Sequence, residues 1–412
     1  GRPGWGSAPG GRGGRGAVDS AAAGTQVPAA PRVAGLYGNV VSDTPPTEAL
    51  RWNWNAPLML SPHNPMTVIT ASNRFHKSTD RGQTWTSGAQ DLSKGIDRNT
   101  REIMGTLPGG GGRGAPGARP RMLSESDGVE SYGNSVTIGE SPVLPGVFWV
   151  GTDDGNVQVS RDGGVTFTNV ISRISGAPQE CNVSRIEPSH FEAPGAYVSL
   201  DCHRNNEHRP YVYVTHDYGQ TWRSIAAGLP TPGNVNVIKE DPKNPSLLFV
   251  GTEYAFFVSV DAGQTWKKLM NNLPVVRIDD VIIHPRENDL ILATHGRSVW
   301  IMDDITPLQQ LTPAVQNMDM YLFDVRTAVQ WINDLQLSRG RMAVFTGENA
   351  PRGVGINYYL KSVPTGDVTI KISDVQGNDV CTGQGTRNVG LNHVQWAFGR
   401  DQVAGAGAAG AA

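Results

Sequence analysis

Five carboxylates carry the clearest chemical potential in this chain of 412 residues, namely Asp153, Asp154, Glu253, Asp279 and Asp280. The first three directly follow apolar, strand-like segments, and the last two lie at the start of such a segment. Two carboxylates about 5 to 9.5 Å apart across a glycosidic bond can hydrolyse it. The five are therefore candidate catalytic residues, although Asp-Asp-Gly at 153–155 is also a hairpin-turn pattern.

Aromatic, basic and amide side chains occur at equivalent places in the chain, at strand ends and strand starts. Aromatic rings have an apolar face that can stack on a sugar ring, and converging polar groups are typical of a binding site. The candidate ligand-binding residues are Trp52, Trp54, Asn55, Arg74, Tyr132, Asn134, His203, Tyr254, His295 and Arg297. Trp52 and Trp54 alternate along a strand, so one of them could instead belong to the core.

The segment His203-Arg-Asn-Asn-Glu207-His208 has the residue types of a metal site but not the spacing of a zinc-protease signature. It also falls in a loop. The sequence therefore predicts no metal site and no cofactor.

The elements that position these residues are indicated by a motif that occurs four times, [Ser/Thr]-x-Asp-x-Gly-x-Thr-[Trp/Phe], which we call the box motif. Its aspartates are Asp80, Asp162, Asp217 and Asp261. An aspartate in a turn accepts hydrogen bonds from nearby backbone N–H groups, and the glycine supplies a positive φ. We therefore interpret the four aspartates as structural, each closing a hairpin, and not as catalytic groups.

A second pattern precedes each box motif: a proline turn, an apolar strand and another turn. It recurs five times, as in Ser141-Pro142 before Phe148–Thr152, and the fifth unit has no box motif. A four-stranded propeller blade takes about 40–45 residues. The sequence therefore predicts an all-β fold containing a β-propeller with five recognisable four-stranded blades, which either close alone or belong to a larger ring.

Alternating strand direction within a blade assigns each loop to one of two faces. The box motifs connect the third and fourth strands, so they belong to the same face as the loops between the first and second strands. The candidate catalytic and binding residues belong to the opposite face. We expect ligand binding on that opposite face.

These features resemble the Asp-box, or BNR-repeat, proteins with sortilin-like propellers, which include bacterial BNR-repeat glycosyl-hydrolase-like proteins. The resemblance rests on Arg51-Trp-Asn-Trp-Asn55, Gly151-Thr-Asp-Asp-Gly155, Thr294-His-Gly-Arg297 and the box motifs. It covers about residues 35–400. Because members of that group are usually longer, the resemblance implies the C-terminal portion of such a protein, whose missing N-terminal part would be a partner.

Composition and cysteine usage narrow the function classes. The net charge of −3 gives no bulk electrostatic case for nucleic acid, and no apolar run reaches the ~18 residues of a membrane span. Cys181 and Cys202 lie at the facing ends of two predicted antiparallel strands and could form a disulfide; the alternative is two small apolar residues in contact. A disulfide would suit a secreted or periplasmic location.

The chain divides into five predicted segments. Residues 1–34 are rich in Gly, Arg and Ala and are interpreted as a flexible segment. Residues 35–318 form the propeller, with a long insertion loop at 87–131, and residues 319–340 form a linker. Residues 341–400 are predicted to form a small immunoglobulin-like β-sandwich, and 401–412 a disordered Gly/Ala tail.

Three functions agree with this sequence. The first is a secreted or periplasmic propeller that binds a glycan or an extracellular protein on the face opposite the box motifs. The second is a BNR-type glycoside hydrolase that uses a carboxylate pair, and the third is a structural subunit of an extracellular assembly.

Overall fold

The computed structural model describes residues 50–97, 132–328 and 352–398, and the backbone of 403–405. The predicted flexible segment at 1–34, most of the insertion loop and the predicted strand at 342–345 lie outside the described residues.

Five antiparallel sheets follow one another along the chain, and in each the strands are hydrogen-bonded in sequence order. Blade 1 contains β1 (Leu58–Leu60), β2 (Val68–Ala71), β3 (Phe75–Ser78) and β4 (Thr86–Ser87); blade 2 contains β5 (Ser135–Glu140), β6 (Phe148–Thr152), β7 (Val157–Ser160) and β8 (Thr168–Asn169); blade 3 contains β9 (Asn182–Pro188), β10 (Ala196–Asp201), β11 (Tyr211–Thr215) and β12 (Arg223–Ser224); blade 4 contains β13 (Val235–Glu240), β14 (Leu248–Thr252), β15 (Phe256–Ser259) and β16 (Lys267–Lys268); blade 5 contains β17 (Ile278–Ile283), β18 (Leu290–Thr294) and β19 (Val299–Met302). The predicted all-β propeller fold is confirmed.

The core lies between successive blades and not within any one of them. The second strands of blades 2, 3 and 4 are buried along their whole length, because each contacts a neighbouring sheet on both faces. The first strands of successive blades also contact each other. Each gap between blades holds one apolar cluster, so the blades support one another in series.

Two glycines permit the close approach of neighbouring blades. A Cβ on Gly151 would lie 2.5 Å from the Val183 side chain of blade 3, and a Cβ on Gly251 would lie 2.8 Å from Ile278 of blade 5. Both glycines precede a threonine at the end of a second strand. The repeated Gly-Thr pair in the sequence therefore marks the places where the next blade's first strand packs against the sheet.

The four box motifs form closed loops with a shared set of hydrogen bonds. In the first, the Asp80 carboxylate accepts from Thr84 N at 2.9 Å, Thr84 Oγ1 at 2.6 Å and Ser78 Oγ at 2.7 Å. The other three aspartates, Asp162, Asp217 and Asp261, make the same three kinds of bond. The Thr84 hydroxyl and N–H, with the Ser78 hydroxyl, lower the pKa of Asp80 to about 2.

Each box loop adjoins the turn between the first and second strands of its own blade. The backbone N–H of Gly163 donates to Gly146 O at 3.0 Å, and that of Ala262 donates to Ser246 O at 2.9 Å. We call the side of the propeller that carries these loops the box face. The side that carries the turns between second and third strands is the cavity face.

Beyond blade 5 the chain forms two short helices, α1 (Thr306–Gln310) and α2 (Pro313–Asn317), and then a second β module. Its sheets consist of β20 (Met320–Leu322), β21 (Val354–Leu360), β24 (Gly390–Trp396) and β25 (Val403–Gly405), and of β22 (Thr369–Ser373) with β23 (Asp379–Gln384). A small core that includes Ile356, Tyr358 and Val394 holds this module together. The strand β20 pairs with β21, so this part of the predicted linker belongs to the module.

Candidate functional site

A cavity of about 700 Å³ opens on the cavity face, and all five blades contribute to it. Its walls are the first strands, the segments that precede them, and the turns after the second strands. Its lining residues include Trp54, Asn55, Val136, Asp153, Asn182, Ser184, Arg185, Asp201, Arg204, Asn236, Arg277, Asp279, Asp280 and His295. None of the four box aspartates lines it.

A β-bulge near the start of the first strand recurs in blades 2, 3, 4 and 5. In each blade two residues of the first strand face one residue of the second, and the extra residues are Val136, Ser184, Asn236 and Asp279. All four line the cavity. A bulge redirects a side chain that regular pairing would place elsewhere, so this repeated irregularity determines which side chains reach the channel.

Asn236 has an amide group with no hydrogen-bond partner among the described residues. Its side-chain Nδ2 and Oδ1 are both buried without a partner, and the residue is only 5% exposed. A buried polar group without a hydrogen bond is unfavourable by about 1–3 kcal/mol. Asn236 therefore places a donor and an acceptor at the cavity wall that the described residues leave unsatisfied.

Asp153 presents a second unsatisfied polar atom. Its Oδ1 accepts from the N–H groups of Gly133 at 3.0 Å and Asn134 at 2.9 Å, while Oδ2 is buried with no partner in the described part of the chain. Burial raises the pKa of Asp153 to about 7, and neighbouring Asp154 adds to the rise, although the Asn134 N–H and Arg204 oppose it. Asp153 is thus the cavity carboxyl best suited to hold a proton near neutral pH.

The other cavity carboxylates are paired with cations. Arg277 Nε lies 2.6 Å from Asp279 Oδ1, and its Nη1 lies 3.4 Å from Glu253 Oε2. His295 Nδ1 lies 2.9 Å from the second oxygen of Asp279. Asp280 forms an ion pair with Arg185, which comes from blade 3. These pairs fix the carboxylates in place and occupy both oxygens of Asp279 and one oxygen of Asp280.

Asp201 is a further cavity carboxylate that sequence reasoning missed. It accepts from the backbone N–H of His203 at 3.1 Å and contacts the ring Nδ1 at 2.8 Å. Burial alone would raise its pKa, but the His203 hydrogen bonds and the charges of His203 and Arg277 outweigh burial and lower it. Asp201 is therefore held as a carboxylate.

A disulfide fixes this part of the wall. Cys181 and Cys202 are bonded, and they immediately flank the paired residues Asn182 and Asp201 at the ends of β9 and β10. Both paired residues line the cavity. The cross-link therefore holds an amide and a carboxylate at a fixed separation on blade 3.

Only some of the predicted site residues meet in the cavity. Asp153, Asp279 and Asp280 among the catalytic candidates do so, as do Trp54, Asn55 and His295 among the binding candidates. The remaining candidates do not line the cavity, and they are Asp154, Glu253, Trp52, Arg74, Tyr132, Asn134, His203, Tyr254 and Arg297.

Asp154 has a clear physical reason for its different place. It is fully buried, its Oδ1 accepts from Thr152 Oγ1 at 2.6 Å, and its Oδ2 accepts from Lys94 N at 2.8 Å. Both oxygens of Asp154 are thus used within the protein, one by its own turn and one by the backbone of Lys94.

Several binding candidates are likewise used within the protein. Trp52 stacks on His76 with ring centroids 5.1 Å apart, and buried Asn134 accepts from Asn53 Nδ2 at 2.9 Å. Tyr132 is buried, and His203 contacts Asp201. The catalytic candidate Glu253 contacts the cavity residue Arg277 through an ion pair.

Sequence reasoning missed Ser184 and Arg185 as well as Asp201. The direction of the Ser184 and Arg185 side chains depends on the bulge in β9, which the sequence does not reveal. The alternation of polar residues at Asn182 and Ser184 was the one signal that could have indicated this part of the site.

The described residues contain no group of three or more His, Cys, Asp or Glu side chains placed to hold a metal ion. No helix in the described part of the chain is long and apolar enough to span a membrane.

No protein-family model matches the chain, and no curated protein matches it either. Among solved structures, the GH74 xyloglucanase of Xanthomonas campestris is 18% identical, with 62% of this chain and 37% of that chain covered and a TM-score of 0.43. The GH74 enzyme of Niastella koreensis is 13% identical, with 85% and 50% covered and a TM-score of 0.42. YCF48 from Cyanidioschyzon merolae is 10% identical, with 63% and 97% covered and a TM-score of 0.25. The chain spans half or less of the length of the two GH74 enzymes.

Proposed function

We propose that this propeller binds a glycan in the cavity on the face opposite its box motifs. The observation that carries the proposal is Asn236, a buried amide at a bulge with both polar atoms unsatisfied and facing a cavity of about 700 Å³. An amide that can donate and accept at once suits sugar hydroxyls, which do the same. Asp153 Oδ2 supplies a second acceptor in the same cavity.

The size and shape of the cavity favour a glycan over a folded protein as the primary ligand. Small-molecule sites have volumes of about 300–1,000 Å³, whereas a stable protein–protein interface buries about 1,200–2,000 Å². Trp54 lies at the rim, is 89% exposed and can cover one face of a sugar ring. A glycan on an extracellular protein would satisfy the same groups.

The proposed family and location agree with this function. The four closed box loops support membership of the Asp-box propeller group. The disulfide between Cys181 and Cys202 supports a secreted or periplasmic location, because such bonds persist in oxidising compartments.

A glycan panel followed by isothermal titration calorimetry tests the proposal. Asn236→Leu keeps the side-chain size and removes both polar atoms, and Trp54→Ala removes the rim aromatic. We expect each to weaken binding at least tenfold. Val165→Thr, at an exposed position within a box loop, is the matched control and should bind as the wild type does. Wild-type protein that binds no glycan at millimolar concentration would exclude the proposal.

Glycoside hydrolysis is the second candidate function, and one observation favours it. Asp153 has a pKa of about 7 and an unoccupied oxygen, as a general acid requires. Its partner would have to be a carboxylate that is now paired with Arg or His. In a reducing-sugar assay on the glycan that binds, Asp153→Asn should then abolish release while binding persists. Binding without any release by the wild type would leave the protein as a binding module.

A further inference from the structure

Among the described residues, blade 5 has three strands, whereas the other four blades have four. In blades 1 to 4, two residues after the box motif pair with the third strand. Blade 5 ends at its third strand, β19, and the chain continues into α1. In the described part of the chain, no strand pairs with the outer edge of β19.

The register shows which groups that edge presents. In blade 4, Leu269 N donates to Phe256 O at 2.9 Å. The backbone groups of Phe256 and Val258 therefore point away from β14, and these two residues face Gly251 and Phe249 across the sheet. The equivalent residues of β19 are Val299 and Ile301, because Ala293 and Ile291 face them across the sheet. The Val299 carbonyl and both backbone polar groups of Ile301 therefore point outward.

An apolar cleft accompanies this edge. In the gap between blades 3 and 4, the box residue Trp266 packs on the apolar cluster and donates Nε1–H to Ile225 O at 2.7 Å. In the gap between blades 4 and 5, the residue equivalent to Ile225 is Leu269. No described box tryptophan covers it, and the place is an open cleft whose walls include Leu269, Leu273, Leu290, Leu292, Trp300 and Met302.

We propose that β19 and this cleft bind an extended peptide segment of a partner protein, which adds as the fourth strand and inserts one aromatic side chain. The proposed contact copies one that the chain already makes in its other blades. In blades 1 to 4 a short antiparallel fourth strand supplies backbone hydrogen bonds, and in blades 2 to 4 the aromatic residue that precedes it packs in the gap between blades. Strand addition of this kind derives affinity from the backbone and specificity from the pocket. The site lies away from the glycan cavity.

A second copy of the chain fits this site poorly. Among the described residues, its equivalent open edge is its own β19, on which Trp300 and Met302 already form part of the cleft wall. Pairing β19 of one copy with β19 of another would place the two cleft walls against each other. Neither cleft would then receive an inserted aromatic ring. A segment that carries a free aromatic residue is the better occupant.

A fluorescein-labelled peptide with the sequence of residues 261–271 is a direct probe, because it copies the strand and tryptophan of blade 4. With the full chain we expect saturable fluorescence anisotropy. A peptide with Ala in place of its tryptophan should bind at least tenfold more weakly, and a scrambled peptide should not bind.

Ile301→Pro removes the outward N–H of β19 without removing a bond to β18, and we expect it to weaken the peptide at least tenfold. Val143→Thr, at an exposed position of blade 2 that lines neither the cleft nor the cavity, is the control and should leave binding unchanged. Near-ultraviolet circular dichroism verifies that both variants are folded, and Leu273→Gln tests the cleft independently.

Folded wild-type protein that does not bind the peptide at millimolar concentration would overturn the proposal. Equal binding by wild type, Ile301→Pro and Leu273→Gln would do the same. Dimerisation in analytical ultracentrifugation that Ile301→Pro abolishes would identify the occupant as a second copy and reject a partner peptide.

Discussion

The raised pKa of Asp153 predicts an unusual pH dependence of stability. Asp153 is 4% exposed, and burial raises its pKa from the ordinary value of 3.8 to about 7. Between these two pH values the folded protein retains a proton that the unfolded chain has released. Because the folded state then binds more protons, the free energy of unfolding falls as pH rises from about 4 to about 7.

The size of the effect follows from the two pKa values. A difference of about 3 pH units corresponds to about 4 kcal/mol, since each unit is worth about 1.4 kcal/mol. Below pH 4 the carboxyl is protonated in both states and contributes no penalty. Above pH 7 it is ionised in both, and the folded state carries the full penalty of a buried charge.

Asp153→Asn should remove this dependence with little change in geometry. The asparagine Oδ1 can still accept from Gly133 N and Asn134 N, and its Nδ2 replaces the unpartnered Oδ2. The variant should match the wild type near pH 4 and exceed its stability by about 4 kcal/mol at pH 8. Urea unfolding of both proteins across this range, followed by fluorescence, measures the difference.

The control is Asp162→Asn in the second box motif. Hydrogen bonds from Thr166 lower the pKa of Asp162 to about 2, so that carboxylate stabilises the fold above the unfolded pKa and loses its contribution in acid. Its wild-type-minus-variant difference should rise between about pH 2 and pH 4 and stay constant from pH 4 to pH 8. A constant difference between wild type and Asp153→Asn from pH 4 to pH 8 would refute the argument that burial governs Asp153.

Three further predictions concern the scaffold. Reduction of the bond between Cys181 and Cys202, or replacement of both residues by Ser, should lower the free energy of unfolding by about 3 kcal/mol. Urea unfolding with and without reductant measures this loss, and unchanged stability would contradict a stabilising role of the disulfide. Gly155→Ala should lower the free energy of unfolding by about 2–3 kcal/mol, because φ is +96° and the new Cβ would lie 2.6 Å from a backbone carbonyl oxygen. The control Gly176→Ala, at φ +77° in open space, should lower it by only about 1 kcal/mol. Equal losses in the two variants would reject the steric argument. Burial, helped by the nearby Arg74, lowers the pKa of His76 to about 4, so the free energy of unfolding should fall as pH drops from 6.5 towards 4. His76→Gln should remove that fall in urea unfolding measured across this range. The same loss of stability in the variant would exclude His76 as its cause.

The fold was predictable because its signals are local. Each box motif places a hydrogen-bonding aspartate, a glycine and a threonine within one turn, and that turn closes without help from distant residues. The proline turns and apolar strands repeat with it. The chain therefore specifies its blades one at a time, and their number in the described residues could be read from the sequence.

The site was less predictable because it depends on bulges and on distances between blades. No pattern in the sequence distinguishes Asn236 at a bulge from Asn234 beside it, yet only the former lines the cavity. The pairing of Arg185 with Asp280 joins blade 3 to blade 5 across the channel. Such a contact follows from the arrangement of the blades and not from spacing along the chain.

The pattern of ion pairs favours recognition over hydrolysis. Hydrolysis of a glycosidic bond requires one carboxylate free to attack or to activate water and one acid that can donate a proton. Asp153 meets the second requirement, but Asp279, Asp280 and Asp201 each have a cationic or histidine partner. A carboxylate held by a cation is fixed in orientation, which suits the binding of hydroxyl groups better than proton transfer. If the cavity binds a glycan as proposed, a ligand that displaced both Arg277 and His295 from Asp279 would free a carboxylate for catalysis.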